Sequence, residues 1–169
     1  MIIELESIFN TDGSSYEFDY ELSLSHISVS GVNPLKSPVK VKGVVKNNTG
    51  IVTLNANVEL IYSAVCDRCA EETEKTYNYE FSHNLIASLS NEDNDDFLVV
   101  SDMRLDLDEL IEEDVNLELP TKFLCNEDCK GICLNCGKNL NEGSCGCVTK
   151  SIDPRLEILA KLLEQDQED

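Results

Sequence analysis

The sequence predicts an α+β protein, built from an antiparallel β-sheet or small open barrel, a covering helix, a C-terminal four-cysteine ribbon and a terminal helix. Three observations support this fold class. Apolar and polar residues alternate through much of residues 15–83, which is the period of half-buried strands. Apolar residues then recur at helical spacing over residues 106–117. Six of the eight cysteines fall between Cys125 and Cys147.

The predicted strands each have one buried and one solvated face. In the first, apolar residues alternate with acidic and polar ones over residues 16–24. A turn at residues 47–50 leads into a long strand over residues 52–62, whose even-numbered positions are apolar. Residues 74–83 return with a second alternating pattern. The sequence Cys66-Asp-Arg-Cys69 is therefore predicted at the tip of a β-hairpin.

A basic stripe accompanies the second predicted strand. Its valines, at positions 39, 41 and 45, are odd-numbered and predicted to face inward. The lysines at even-numbered positions then point outward together, and they are Lys36, Lys40, Lys42 and Lys46. We name them the lysine stripe. It is the candidate RNA-binding surface.

The charge of the chain restricts the partners that it can attract. The 169 residues include 33 acidic and 13 basic ones, giving a net charge of −20. Such a polyanion repels nucleic acid at long range, so direct RNA contact requires a local basic patch, and basic proteins are the easier partners.

Twelve of the acids, against one base, lie in residues 91–118. The predicted helix there offers a docking surface for a cationic partner, formed by Asp106, Asp108, Glu109, Glu112 and Glu113. The alternative is that this stretch is only a solubilising loop and the solvated face of a helix.

The C-terminal part is predicted to form a separate unit. Pro120 ends the acidic helix, so we divide the chain into a mainly β domain over residues 1–120 and a ribbon with a C-terminal helix over residues 121–169. Asp153-Pro154 suits the start of that last helix. Its predicted apolar stripe consists of Leu156, Leu159, Leu162 and Leu163.

The cysteine spacing in the ribbon indicates metal binding. Cys133-x2-Cys136 is followed directly by Gly137, which suits a tight turn whose two thiolates converge on one ion. Cys145-x-Cys147 follows after a short polar loop. These four cysteines can surround a tetrahedral Zn²⁺ in a segment too short and too polar to bury a core of its own.

The other four cysteines form a second predicted Zn²⁺ site. Cys66-x2-Cys69 and Cys125-x3-Cys129 are assigned to it by elimination, which would join the first half of the chain to its tail. Three alternatives stay open: disulfides, which an even cysteine count also permits, a rubredoxin-like iron site, and a redox-active Cys-x2-Cys. The N-terminus has neither a basic stretch nor an apolar signal core, which favours reduced cysteines in the cytoplasm.

The sequence predicts no catalysis. A catalytic zinc site keeps an open coordination position, whereas these cysteines come in complete fours. Neither His26 nor His83 belongs to a motif, and acidic pairs such as Asp106 and Asp108 show no sign of burial that would raise a pKa. A phosphate-binding glycine loop, a nucleophile elbow and a metalloprotease helix are all missing from the sequence.

Several motifs together resemble one family. They are Cys125-x3-Cys129-Lys-Gly-Ile-Cys133-x2-Cys136-Gly-Lys-Asn-Leu-Asn-Glu-Gly, then Cys145-x-Cys147, Ile152-Asp-Pro-Arg-Leu156 and the upstream Cys66-Asp-Arg-Cys69. The chain is similar in these motifs to the bacterial YceD family, the large ribosomal RNA subunit accumulation proteins. The resemblance spans roughly residues 35–163. One departure is Leu134, where the family's knuckle often carries proline.

This resemblance implies a cytoplasmic, non-enzymatic role in 23S rRNA accumulation during assembly of the large ribosomal subunit. From the charge pattern, a basic ribosomal protein or assembly factor would bind the acidic helix and loop, and rRNA would bind the lysine stripe. One alternative is nucleic-acid binding by the ribbon, since residues 121–150 carry four lysines against three acids. Another is thiol redox chemistry or metal storage, which requires labile thiols. We expect neither a membrane nor a small-molecule substrate as partner.

Overall fold

The computed structural model describes residues 1–87 and 97–147. They contain β1 (Ile2–Glu4), α1 (Glu6–Asn10), β2 (Ser15–Leu22), β3 (Val39–Asn48), β4 (Ile51–Val65), β5 (Glu72–Ile86), β6 (Phe97–Val99), a 3-10 turn (Ser101–Met103), β7 (Arg104–Asp106) and α2 (Leu107–Glu118). The predicted terminal helix lies outside the described residues, and the division at residue 120 stays a prediction. None of the helices in the described part of the chain has the length and apolar character needed to cross a membrane.

The main sheet is mixed, which corrects the prediction of a purely antiparallel one. Its strand order is β2-β3-β4-β5-β6, and the pairs β2–β3, β3–β4 and β4–β5 are antiparallel. Strand β6 instead pairs parallel to β5. Ten residues connect β5 to β6. This connection is longer than a hairpin loop, so it does not force the chain to return antiparallel, and the alternating pattern carries no information on strand direction.

The turn predicted at residues 47–50 is confirmed as a two-residue hairpin loop. Strand β3 ends at Asn48 and β4 begins at Ile51, and both loop residues have positive φ, 51° at Thr49 and 87° at Gly50. Such loops match the right-handed twist of the strands that they connect. The resulting register places Lys40 opposite Glu59 and Val41 opposite Val58, so that charged and apolar residues lie on opposite faces.

Helix α2 covers part of the apolar face of the sheet. It begins one residue later than predicted, because Asp106 is its N-cap and accepts a hydrogen bond of 3.0 Å from the backbone N–H of Asp108. The helix lies against β5, since the Tyr79 hydroxyl donates to the Glu118 carbonyl at 3.1 Å. Its buried side chains, Leu107, Leu110, Ile111 and Val115, recur at the predicted helical spacing.

The core continues as far as the cysteines. The ring of Phe123, just after α2, lies 4.9 Å from the ring of Tyr62 on β4, and both side chains are buried. This contact holds the chain against the end of the β4–β5 hairpin that carries Cys66 and Cys69. Cys125 and Cys129, which follow Phe123 closely in sequence, are therefore attached to the sheet through it.

Gly43 on β3 lies where neighbouring residues leave no room for a larger side chain. A Cβ atom there would lie 2.3 Å from the Asn55 carbonyl oxygen and 2.4 Å from Cζ of Phe18, so the Phe18 ring occupies the space above this glycine. We expect Gly43→Ala to lower the free energy of unfolding by about 1–3 kcal/mol through overpacking. Denaturant unfolding measures this. The near-isosteric Val44→Thr on the opposite face is the control, and an equal effect in the two variants would contradict the packing described.

Candidate metal centre

The first cysteine pair lies at the tip of the β4–β5 hairpin, as predicted. Strand β4 ends at Val65 and β5 begins at Glu72. Within the turn, the N–H of Ala70 donates to the Cys66 carbonyl at 2.9 Å, and the N–H of Cys66 donates to the Glu71 carbonyl at 2.8 Å. This fold brings the two thiols of the pair to the same side of the turn.

The Cys133–Cys136 pair forms the same turn. The N–H of Gly137 donates to the Cys133 carbonyl, and the N–H of Cys133 donates to the Lys138 carbonyl, both at 2.8 Å. Gly137 has a φ of 72°, which is the backbone freedom that the sequence predicted for it. Ala70 takes the equivalent position in the first turn, with a φ of 60°.

Asp67 and Arg68, between the first two cysteines, hold the next cysteine-rich segment in place. The Asp67 N–H donates to the Phe123 carbonyl at 2.8 Å, and an Asp67 carboxylate oxygen accepts from the Phe123 N–H at 2.7 Å. The Arg68 guanidinium donates to the carbonyls of Cys129 at 2.9 Å and Glu127 at 3.4 Å. Contacts 56 to 61 residues apart in sequence thus bring Cys125 and Cys129 over the hairpin tip.

The first group of four thiols has the dimensions of a tetrahedral metal site. Cys66, Cys69, Cys125 and Cys129, which we name the hairpin site, have their Sγ atoms within 4.8 Å of one another. The Cys66–Cys129 and Cys69–Cys125 sulfurs lie 3.8 and 3.7 Å apart. Four thiolates at about 2.3 Å from one Zn²⁺ would be about 3.8 Å apart. Three of the four cysteines are buried, and all four are free thiols.

The second group comprises Cys133, Cys136, Cys145 and Cys147, which we name the ribbon site. Its four Sγ atoms also lie within 4.8 Å of one another. Cys133 is buried, whereas Cys136 is exposed and the other two are half-buried. Both groups could hold a metal ion. Four sulfur ligands complete a tetrahedron and leave no open position for a substrate.

The thiols of the hairpin site differ in pKa. Burial raises the pKa of Cys66, but backbone N–H groups of Cys125, Cys69 and Arg68 donate to its sulfur, and the net pKa falls to about 6. For Cys69, the N–H of Glu71 acts to lower the pKa, yet burial and the neighbouring thiols raise it to about 12. Once one thiol of the site is ionised, its negative charge raises the pKa of the thiols beside it. A bound dication would offset this repulsion, so that all four cysteines could be thiolates.

The ribbon site shows the same pattern. The backbone N–H groups of Cys136 and Asn135 lower the pKa of Cys133 to about 6, with help from the Cys145 thiol. The thiols of Cys145 and Cys136 raise the pKa of Cys147 to about 12. The first cysteine of each Cys-x2-Cys turn therefore has the lowered pKa, because the turn directs N–H groups toward its sulfur.

The lysine stripe lies only partly on one strand. Lys40, Lys42 and Lys46 are exposed on the outer face of β3, whereas Lys36 precedes that strand. The ammonium group of Lys40 is 2.7 Å from a Glu59 carboxylate oxygen, and that of Lys42 is 3.0 Å from Asp19. These ion pairs reduce the positive potential that the stripe presents.

The five predicted acidic docking residues have different surroundings. The amino group of Met1 contacts Asp106 at 3.3 Å and also contacts Asp108. Glu112 accepts from Nε2 of His26 at 2.7 Å. Glu109 and Glu113 are exposed one helical turn apart.

Both histidines contact carboxylates of α2. Besides the His26 contact, Nε2 of His83 on β5 lies 2.8 Å from an Asp114 oxygen. Sequence reasoning gave no role to these histidines, to Asp67, or to Asn139 and Asn141 beside the cysteines. The contacts of the histidines, Asp67 and Asn139 join residues 31 to 86 positions apart, so local spacing holds no signal for them. Asn141 contacts Cys129 and Lys130, 12 and 11 residues away, but nothing in the sequence pattern indicates that contact.

Comparison with known proteins gives a family match. The model described as "Large ribosomal RNA subunit accumulation protein YceD" matches residues 54–163, a range that contains all eight cysteines. The "Large ribosomal RNA subunit accumulation protein YCED homolog 1, chloroplastic" of Zea mays is 24% identical over 88% of this chain. The "Uncharacterized protein YlbN" of Bacillus subtilis (strain 168) is 28% identical over 91% of this chain and 91% of its own length.

The match to the chloroplast proteins is partial in length. The aligned region spans 61% of the Zea mays protein. The Arabidopsis thaliana protein of the same name is 38% identical over 38% of this chain and 20% of its own length. No solved structure shows a significant match to the chain.

The two equivalent turns provide a matched pair of substitutions. An L-residue with positive φ costs about 1 kcal/mol relative to glycine. In Zn²⁺-loaded protein we therefore expect Ala70→Gly to slow ion release to a chelator, and Gly137→Ala to accelerate it about five-fold, which corresponds to about 1 kcal/mol. A colorimetric chelator measures both rates. Changes in the same direction for the two variants would contradict the equivalence of the turns.

Proposed function

The chain belongs to the YceD family of large ribosomal RNA subunit accumulation proteins, and from this membership we propose that it is a non-enzymatic factor for 23S rRNA accumulation and large-subunit assembly in the cytoplasm. One observation supports the proposal most strongly. The family match contains both cysteine groups, and each group can close around a metal ion without leaving a position for a substrate.

The metal that we propose is Zn²⁺, one ion in each site. Four sulfurs at tetrahedral separation suit zinc or iron, and zinc adds no redox chemistry to a protein proposed to be a scaffold. The Cys145-x-Cys147 half of the ribbon site also differs from the Cys-x2-Cys turn typical of rubredoxin iron. The role of the ions is structural, because they join short polar segments that have little core of their own.

The partner surface that we propose is the outer side of α2. Glu109, Glu113 and Leu117 follow at intervals of four residues and so lie along one side of the helix. All three are exposed, and the Leu117 side chain is 85% exposed. Two carboxylates beside an apolar side chain suit a basic protein that also buries an apolar anchor. A basic ribosomal protein or assembly factor has this chemistry.

The lysine stripe is the proposed rRNA contact. Phosphate oxygens would have to replace Glu59 at Lys40 and Asp19 at Lys42. Exchanging one anion for another has a modest cost at a solvated surface, where such ion pairs contribute about 0–1 kcal/mol. RNA binding through this stripe should therefore depend steeply on salt and show little preference for base sequence.

The proposal is tested in a strain that lacks the native gene and expresses variants of this chain. The readouts are the ratio of 23S to 16S rRNA and the protein and RNA that co-purify with the tagged chain. We expect Cys66→Ser/Cys69→Ser to lower the ratio to that of the empty vector, because the hairpin site holds Cys125 and Cys129 against the β4–β5 hairpin. Glu109→Lys/Glu113→Lys should release the protein partner, and reversing the lysine stripe to glutamate should release the RNA.

Matched controls separate these effects from net charge and misfolding. Glu17→Lys/Glu80→Lys makes the same charge change as Glu109→Lys/Glu113→Lys, but on exposed positions of β2 and β5. It should retain both the protein partner and the RNA. Normal 23S rRNA accumulation without the hairpin cysteines would contradict the proposal. Retention of RNA after reversal of the lysine stripe, with loss on Lys122→Glu/Lys138→Glu, would instead favour nucleic-acid binding by the ribbon.

A further inference from the structure

We propose that the hairpin site and the ribbon site form one cooperative unit, in which an ion in either site slows the release of the ion in the other, and that Asn141 transmits this coupling. The inference rests on the metal binding proposed above and goes beyond it, because sequence spacing alone suggests two independent sites. It follows from contacts of the segment over residues 130–141, which leads from the hairpin site into the ribbon site.

The ribbon segment is packed onto the turn that carries Cys66 and Cys69. The N–H of Ile132 donates to the Arg68 carbonyl at 3.1 Å. At Gly131, a Cβ atom would lie 2.9 Å from the same carbonyl oxygen, so the two backbones approach as closely as glycine allows. The Asn139 amide donates to a Glu71 carboxylate oxygen at 2.7 Å. Both ends of the segment are thus attached to the hairpin tip.

Asn141 connects this segment directly to a cysteine of the hairpin site. Its side-chain oxygen accepts from the Lys130 N–H at 2.8 Å, and its amide nitrogen donates to the Cys129 sulfur at 3.4 Å. Its backbone N–H in turn donates to the Asn139 side-chain oxygen at 2.9 Å. The position of Asn141 therefore determines whether a thiolate of the hairpin site keeps a hydrogen bond.

Asn141 itself depends on the ribbon site. It lies four residues before Cys145, in a polar segment with no large apolar side chain buried among its described residues after Cys133. Ordering each residue of such a segment costs about 1–2 kcal/mol. An ion shared by Cys133 and Cys145 offsets this cost. Without it, the hydrogen bonds to Arg68, Glu71 and Lys130 must order the segment alone, and the hydrogen bond from Asn141 to Cys129 is weakened.

Linkage makes the coupling reciprocal, so emptying the hairpin site also weakens the ribbon site. Removing a group that hydrogen-bonds to a metal ligand typically changes metal affinity by about 10- to 100-fold. We expect a change of this size in the rate of ion release.

The test follows release of Zn²⁺ from the full chain to a colorimetric chelator. In a coupled unit, loss of either ion makes the other labile, so the wild-type chain releases two ions in a single phase. Cys133→Ser/Cys136→Ser retains one ion, in the hairpin site, and should release it about 10- to 100-fold faster than the wild-type phase.

Variants at Asn141 separate the sulfur contact from the rest of the structure. Asn141→Asp keeps an acceptor for the Lys130 N–H but cannot donate to Cys129, whereas Asn141→Ala loses both contacts. Both variants should bind two ions and release them in two phases, the faster one from the hairpin site. Glu142→Ala, at the exposed neighbouring position, should release its ions as the wild type does.

The outcomes distinguish this inference from the function on which it rests. Two wild-type phases, one with the rate constant of Cys133→Ser/Cys136→Ser, would show independent sites and overturn the coupling while leaving metal binding intact. A single phase in the Asn141→Asp and Asn141→Ala variants would exclude Asn141 as the connection. Purified wild-type protein that takes up no Zn²⁺ would overturn both proposals. If the double cysteine variant retains no ion, the Asn141 variants decide.

Discussion

The structure depends on the convergence of four thiols from two distant parts of the chain. Cys66 and Cys129 are 63 residues apart in sequence, yet their sulfurs are 3.8 Å apart. Closing a loop of that length has an entropic cost that polar contacts in a small ribbon do not readily offset. Asp67 and Arg68 align the two segments, and an ion among the sulfurs would lock them. Residues 124–147, the described part of the chain beyond Phe123, are positioned by the contacts at this convergence.

The hairpin site and the ribbon site also bear on the kind of function that this fold can perform. The sheet and α2 supply charged surfaces, and each cysteine group could hold a metal ion with four sulfur ligands, which leaves no open coordination position. Glu109, Glu113 and Leu117 lie on one side of a helix that packs on β5, so a partner that binds there meets a preformed surface. The family name refers to accumulation of large-subunit ribosomal RNA, and exposed charged surfaces are what the proposed binding role requires.

Much of this could be predicted from the sequence, and the failures have physical reasons. The hairpin with Cys66 at its tip and helix α2 followed from periodicity, because burial of one face imposes it on the chain. The direction of β6 did not, since three residues with a long connection carry no directional signal. The ion pairs of Lys40 and Lys42, and the role of Asn141, depend on which strands and loops become neighbours. Spacing along one chain does not encode that.

X-ray absorption at the zinc edge tests the central claim most directly, because it reports the atoms bound to the ion. For protein loaded with two Zn²⁺ per chain, we expect a first shell of four sulfurs at about 2.3 Å and no lighter ligand. A first shell that includes nitrogen or oxygen would show that a site is open or assembled from other residues, and would contradict two closed four-cysteine cages.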